Sequence, residues 1–165
     1  MRRASELDRL DLRMLQALQD DGRITNKELA AKVNLSPSAC HQRLQKLIQD
    51  GWIDGFIGMI NIDRLCQPVQ CIATISLGSH APDTFRFLEQ RIEAIPEVME
   101  AWTVSGGCDF IVRFICSHMT RYMELSNSLI QMCPEISNIN THVILKESKK
   151  FKGYPVDELM NPRGL

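Results

Sequence analysis

The stretch Thr25-Asn26-Lys27-Glu28-Leu29-Ala30-Ala31-Lys32-Val33-Asn34-Leu35-Ser36-Pro37-Ser38-Ala39-Cys40-His41-Gln42-Arg43-Leu44-Gln45-Lys46-Leu47-Ile48-Gln49-Asp50-Gly51 reads as two helices joined by a tight turn. Thr25 or Asn26 caps the first of them, and Glu28 puts a carboxylate in its first turn, where it opposes the positive end of the helix dipole. Leu29, Ala30 and Val33 are the inward positions. Asn34-Leu35 turns the chain, asparagine being one of the few residues that accept a left-handed conformation. Ser36 is then an N-cap and Pro37 a first helical residue. Cys40, Leu44, Leu47 and Ile48 make an apolar stripe, which leaves Ser38, Ala39, His41, Gln42, Arg43 and Lys46 off the core. Asp50-Gly51 ends the helix.

Working outward, Leu7, Leu10, Leu12, Met14, Leu15 and Leu18 recur at roughly helical spacing and predict a preceding helix over 8–19, stopped by Asp20-Asp21-Gly22. On the other side, residues 52–60 read as two short strands around a glycine turn, a hairpin or wing. Residues 61–68 form a connector in which Leu65 and Cys66 are candidates for local packing. Beyond it come a strand at 70–77, a helix at 82–95, strands at 98–105 and 110–116, a helix at 119–132 and a strand at 136–146. That β-α-β-β-α-β order is the ferredoxin-like pattern. Two helices cover one sheet face and leave the other needing a partner. Ile72, Ile75, Ile111 and Ile115 are among the apolar strand residues available for burial. The fold class is α+β: a winged helix-turn-helix domain (1–60), a linker (61–68), a ferredoxin-like domain (69–147) and a tail (148–165). The tail holds the basic and aromatic run Lys149-Lys150-Phe151-Lys152-Gly153-Tyr154-Pro155, read as solvated or docked, with nucleic-acid contact the rarer alternative.

Composition sets the outer bounds. The chain is 44% hydrophobic and 24% charged, ordinary for a globular protein. No apolar run approaches the ~20 residues needed to cross a bilayer, and Arg2-Arg3 has no apolar stretch behind it, so no signal peptide is expected and the chain is placed in the cytoplasm. Cys40, Cys66, Cys71, Cys108, Cys116 and Cys133 never pair as Cys-x-x-Cys and read as reduced, small hydrophobes. No metal and no cofactor are indicated. His41, His80, His118 and His142 stand with no nucleophile or carboxylate set at a recognisable spacing, so catalytic residues are none. The net charge of -1 is low for a nucleic-acid binder, but from Leu29 through Gln49 there is no acid, while Lys32, His41, Arg43 and Lys46 are present. A neutral protein can carry one basic face.

Taken jointly, Leu7-Asp8, Asp11, Leu15–Leu18, Asp21-Gly22-Arg23, Glu28-Leu29-Ala30, Val33, Leu35-Ser36, Cys40, Arg43, Leu47 and Gly51-Trp52-Ile53 resemble the leucine-responsive/asparagine-operon (Lrp/AsnC, feast/famine) regulators. Pro96-Glu97-Val98, the Gly106-x-x-Asp109 turn and Thr141 extend the resemblance to nearly the whole chain. Leu65-Cys66-Gln67 departs from a Leu-Gly pair common in the family's connector, and Phe110 stands where a Tyr is frequent.

The resemblance implies a prokaryotic transcription regulator that binds double-stranded DNA, forms a dimer or a larger homo-oligomer up to an octamer, and responds to an amino-acid effector. A recognition helix fits the ~12 Å major groove and reads base edges from its N-terminal part. Ser38, His41 and Gln42 are the candidate base readers. Arg43 and Lys46 are candidate DNA contacts, Arg43 having the alternative of pairing with acids of the first helix. Ser36 caps the helix and can touch phosphate, and Asn26 and Lys27 are candidate backbone contacts. The Gly106-Gly107-Cys108-Asp109 turn is either a plain strand connection or, as the family implies, an effector site. In the second case Gly106 and Gly107 amides meet a carboxylate, Asp109 meets an ammonium and Thr141 adds a polar contact. A constitutive DNA-organising protein and an amino-acid sensor acting on a protein partner are the rival readings.

Overall fold

The computed structural model describes residues 7–160; Arg2-Arg3 and the last residues of the tail lie outside them. The chain divides into two compact units, one running to Met59 and resuming at Lys149, the other Ile60–Ser148.

Three helices build the first unit: α1 (Arg9–Asp20), α2 (Asn26–Val33) and α3 (Pro37–Gln49). Each starts on a side-chain cap. Asp8 and Asp11 exchange bonds across the start of α1, with the Asp11 amide donating to Asp8 Oδ1 at 2.8 Å and the Asp8 amide to Asp11 Oδ2 at 3.0 Å. Thr25, not Asn26, caps α2, in the same reciprocal arrangement with Glu28. These boxes satisfy amides that the first helical turn leaves without partners. Asn34 sits at φ 58°, ψ 48°, the left-handed conformation its sequence position asked for, and Ser36 accepts the Ala39 amide at 3.2 Å to open α3. Met14, Ala17, Leu29, Ala30, Val33, Cys40 and Leu47 are buried together, with Leu10, Leu44 and Trp52 packed around them.

Residues 52–60 depart from expectation, because none of them is in a strand. Trp52 and Ile53 pack on the helical core, but Phe56, Ile57, Met59 and Ile60 stand exposed, Ile57 at 86%. A lone two-stranded ribbon is marginal in water, and Gly55 and Gly58 weaken it further. The tail also differs from a separate segment. It belongs to the first unit and carries a short helix α6 (Val156–Met160).

The second unit is a four-stranded antiparallel sheet in the order β2-β3-β1-β4, with β1 (Val69–Leu77), β2 (Val98–Thr103), β3 (Phe110–Cys116) and β4 (Ile136–Val143). With α4 (Pro82–Glu93) and α5 (Met119–Met132) the chain order is βαββαβ, as the alternation and turns predicted; β4 ends at Val143 rather than at Lys146. Cys71, Ala73, Ile75 and Leu77 of β1 and Phe110, Val112, Phe114 and Cys116 of β3 face the helices and are buried against Leu88, Tyr122 and Leu129. Ile75 therefore belongs to the core, not to the open face, because its neighbours two residues away on either side, Ala73 and Leu77, point inward with it. Ile72, Ile111 and Ile115 remain on the open face, where Arg113 donates to Glu100 at 3.2 Å and to Gln70 at 3.0 Å.

In the connector a single 3-10 turn spans Ile62–Arg64, and Leu65 and Cys66 are exposed rather than packed. All six cysteines are free; Cys40, Cys71, Cys116 and Cys133 are buried, and burial pushes their thiols up. Protonated thiols in apolar surroundings are poor nucleophiles.

Candidate nucleic-acid interface and effector turn

Helix α3 presents a polar face on a rigid support. Ser38, His41, Gln42 and Lys46 are exposed. A helix advances roughly 100° per residue, which places Gln45, also exposed, on the same stripe as Ser38 and Gln42. Sequence reading passed over Gln45, although counting three residues on from Gln42 finds it. Ser36 stands at the N-cap, its hydroxyl 3.2 Å from that of Ser38.

Arg43 makes the pairing with acids of the first helix that stood beside a DNA contact as its alternative. Its Nη1 donates to Asp8 at 2.5 Å and to Asp11 at 2.7 Å, so the charge is spent on α1. The two carboxylates hold the guanidinium above its already high ordinary pKa. Asp8 lies below the usual carboxylate range, chiefly because the Asp11 amide donates to it and secondly through Arg43. The recognition helix is thereby pinned to the first turn of α1. Asn26 likewise turns inward: its Nδ2 donates to the Pro37 carbonyl at 2.8 Å, tying the start of α2 to the start of α3. Lys27 beside it is exposed.

Charge is divided between the units. Residues 1–59 and 149–165 hold thirteen of the nineteen basic and ten of the twenty acidic residues, a net of +3, against -4 for 60–148. The overall -1 hides a basic helical unit beside an acidic sheet unit.

The Gly106–Asp109 turn is tightly built. Gly106 has φ 123°, a conformation that favours glycine, and side chains at 106 or 107 would meet open space. Asp109 is busy: its Oδ2 accepts the Leu77 amide at 2.7 Å, and its Oδ1 lies 3.1 Å from the exposed His80 Nε2. Its backbone bonds join the turn to β1 and to Val104. The carboxylate that sequence reading offered to an ammonium thus also pins β1. Thr141 faces the helices, its hydroxyl 2.5 Å from the Tyr122 hydroxyl, rather than standing free.

Among the described residues no group of His, Cys, Asp and Glu is placed to hold a metal ion, and no helix is long and apolar enough to cross a membrane. The winged helix-turn-helix DNA-binding family matches residues 7–54, and the Lrp/AsnC ligand binding domain matches residues 70–154. The leucine-responsive regulatory proteins of Klebsiella pneumoniae and Escherichia coli K12 are each 32% identical over 149 residues, 90% of this chain and 91% of theirs. A transcriptional regulator from Neisseria meningitidis, solved with L-Met, superposes with a TM-score of 0.84 at 25% identity, covering 93% of this chain and 99% of that one. An AsnC family regulator from Agrobacterium tumefaciens gives 0.84 at 26% identity with the same coverage. Helical reading head, ligand-binding sheet unit and these relatives agree, and the chain belongs to the Lrp/AsnC family of effector-modulated, DNA-binding transcription regulators.

Proposed function

We propose that the first unit reads a roughly palindromic operator through α3, with Ser38, His41, Gln42 and Gln45 toward base edges and Lys27 and Lys46 toward phosphates. The observation that carries this reading is the exposed polar stripe of α3 on a helix fixed by Arg43 to Asp8 and Asp11. Arg43 and Asn26 are positioning residues. Because sequence is read at base edges while phosphate contacts are blind to it, Gln42→Ala relaxes base preference by ~1–3 kcal/mol of discrimination. Lys46→Ala weakens all duplexes alike. Selection on randomised operators separates the two, and an unchanged motif for the Gln42 variant removes it from the readers.

The second unit binds a free amino acid beside the Gly106–Asp109 turn, with the Gly106 and Gly107 amides toward its carboxylate and the Asp109–His80 pair toward its ammonium. The ligand-binding family match, the leucine-responsive relatives and the L-Met complex of a similar regulator support this class of effector. Residues 60–148 also hold the chain in a homo-oligomer. Ile72, Ile111, Ile115 and Trp102 are apolar residues of a sheet face that the unit's own helices leave open. The protein works by occupancy in the cytoplasm, without catalysis. Calorimetry with each amino acid, run beside sedimentation, tests both claims. If no amino acid binds, the constitutive DNA-organising reading replaces this one.

A further inference from the structure

The tail is not adrift from the helical unit. The Gln19 side chain spends both halves of its amide on one residue of the tail, accepting from the Tyr154 amide at 2.6 Å and donating to the Tyr154 carbonyl at 3.1 Å. Gly153 precedes this clasp at φ 121°, and a Cβ there would lie 3.0 Å from Gln19 Oε1. Only glycine allows so close an approach in that conformation. Phe151 meets Tyr154 edge-on with ring centroids 5.1 Å apart, which ties the aromatic residue of the basic run to the residue held by the clasp. Lys149, Lys150 and Lys152 are exposed, and none forms an ion pair with a described acid.

The clasp sits at the end of α1 from which the chain turns into α2. Gln19 lies one residue before the end of α1, and Thr25 caps α2 just beyond the turn. Phe56, in the segment after α3, approaches the same turn, its ring 3.9 Å from where a Cβ on Gly22 would stand. In a helix-turn-helix the first helix of the pair crosses the phosphate backbone. The start of α2, the segment after α3 and the basic tail are thus gathered at one corner. The tail residues 149–165 contribute +2 of the unit's net +3.

We propose that Lys149, Lys150 and Lys152 are a further phosphate-binding element of the DNA-binding unit, held at the α1–α2 corner by the clasp between Gln19 and Tyr154. This rests on the DNA-binding reading and adds to it a contact outside the helix-turn-helix. Lysines there supply affinity without base preference, because a point charge meets phosphate equally on any sequence.

The test is full-length protein titrated with duplex DNA across a potassium chloride series. For Lys149→Gln, Lys150→Gln and Lys152→Gln combined, the slope of log affinity against log salt becomes shallower by about 2 to 3 while the selected motif stays the same, each lost phosphate contact being worth about 0.9. Gln19→Leu keeps every charge yet breaks the clasp, and Gly153→Ala breaks it from the other side. Both are expected to show at least half of that slope change, with melting curves confirming folded protein. A triple variant with the wild-type slope overturns the proposal. So does a shallower slope in the triple variant alone, which would make the lysines an untethered tail. A triple variant that alters sedimentation but not the slope assigns the segment to a second copy of the chain and also overturns it. Wild-type protein that fails to bind any duplex sinks the DNA-binding reading itself, a different result.

Discussion

Helices α1, α2 and α3 begin on caps drawn from residues three positions apart, Asp8 with Asp11, Thr25 with Glu28 and Ser36 with Ala39. Strand β1 has no such local support. Cys71 pairs with Phe114 on one side and Val143 on the other, so the sheet unit is held by partners distant in sequence. The helical unit carries net +3 and exposes its polar stripe on α3; the sheet unit carries -4. Local closure suits a small reading head whose side chains must stand at fixed positions. Non-local closure builds a larger core and costs more loop entropy before it is rewarded.

The largest expected effect lies in the sheet unit. Phe114→Ala empties a fully buried site between β3 and Tyr122, whose rings meet edge-on at 5.3 Å. It should cost about 3–5 kcal/mol. Calorimetry is expected to show the sheet unit's transition lowered and that of the helical unit nearly unmoved; a single shared transition shifting as a whole would erase the contrast. Next comes Arg43→Leu, which leaves the buried Asp11 facing an unfilled charge site and should destabilise the helical unit by about 1–3 kcal/mol. Arg43→Lys should recover only part, since one ammonium cannot match a guanidinium held between two carboxylates. Denaturant melts of both variants measure the difference, and operator selection should return the wild-type motif if Arg43 positions rather than reads.

Smaller again is Asn34→Ala. A left-handed backbone with a Cβ but no side-chain compensation costs roughly 1 kcal/mol, whereas Asn34→Gly should be close to neutral in the same melt. The smallest is a pH effect. The Asp8 carboxyl is lowered in the folded state, so the stability it contributes is complete above its unfolded pKa and drains away as pH falls through the folded value. Acid titration of the melting temperature should therefore show a loss in the range below about pH 4 that Asp8→Asn removes. An identical acid profile for that variant would place the sensitivity elsewhere.

Most of the fold was legible because its signals are local or periodic. The Asn34 turn, the Ser36-Pro37 start of α3 and the alternation along β1 and β3 each follow from a few neighbouring residues. The candidate site was legible only in outline. Exposure of Ser38, His41, Gln42 and Lys46 follows from helical period, but nothing in that period says which cation is already paired.

By itself the sequence determined the three helices of the first unit, the βαββαβ order of the second, the polar stripe on α3 and the glycine turn at Gly106, because caps, turns and periodicity act over a few residues. Tertiary structure alone decided which Ile of β1 is core, since alternation sorts residues into two faces without saying which face the helices cover. It also decided that Arg43 serves Asp8 and Asp11, that Asp109 pins Leu77, and that Tyr154 closes on Gln19. Each of those pairs joins groups far apart in the chain, and hydrogen bonds form by distance in space, to which separation in sequence is blind.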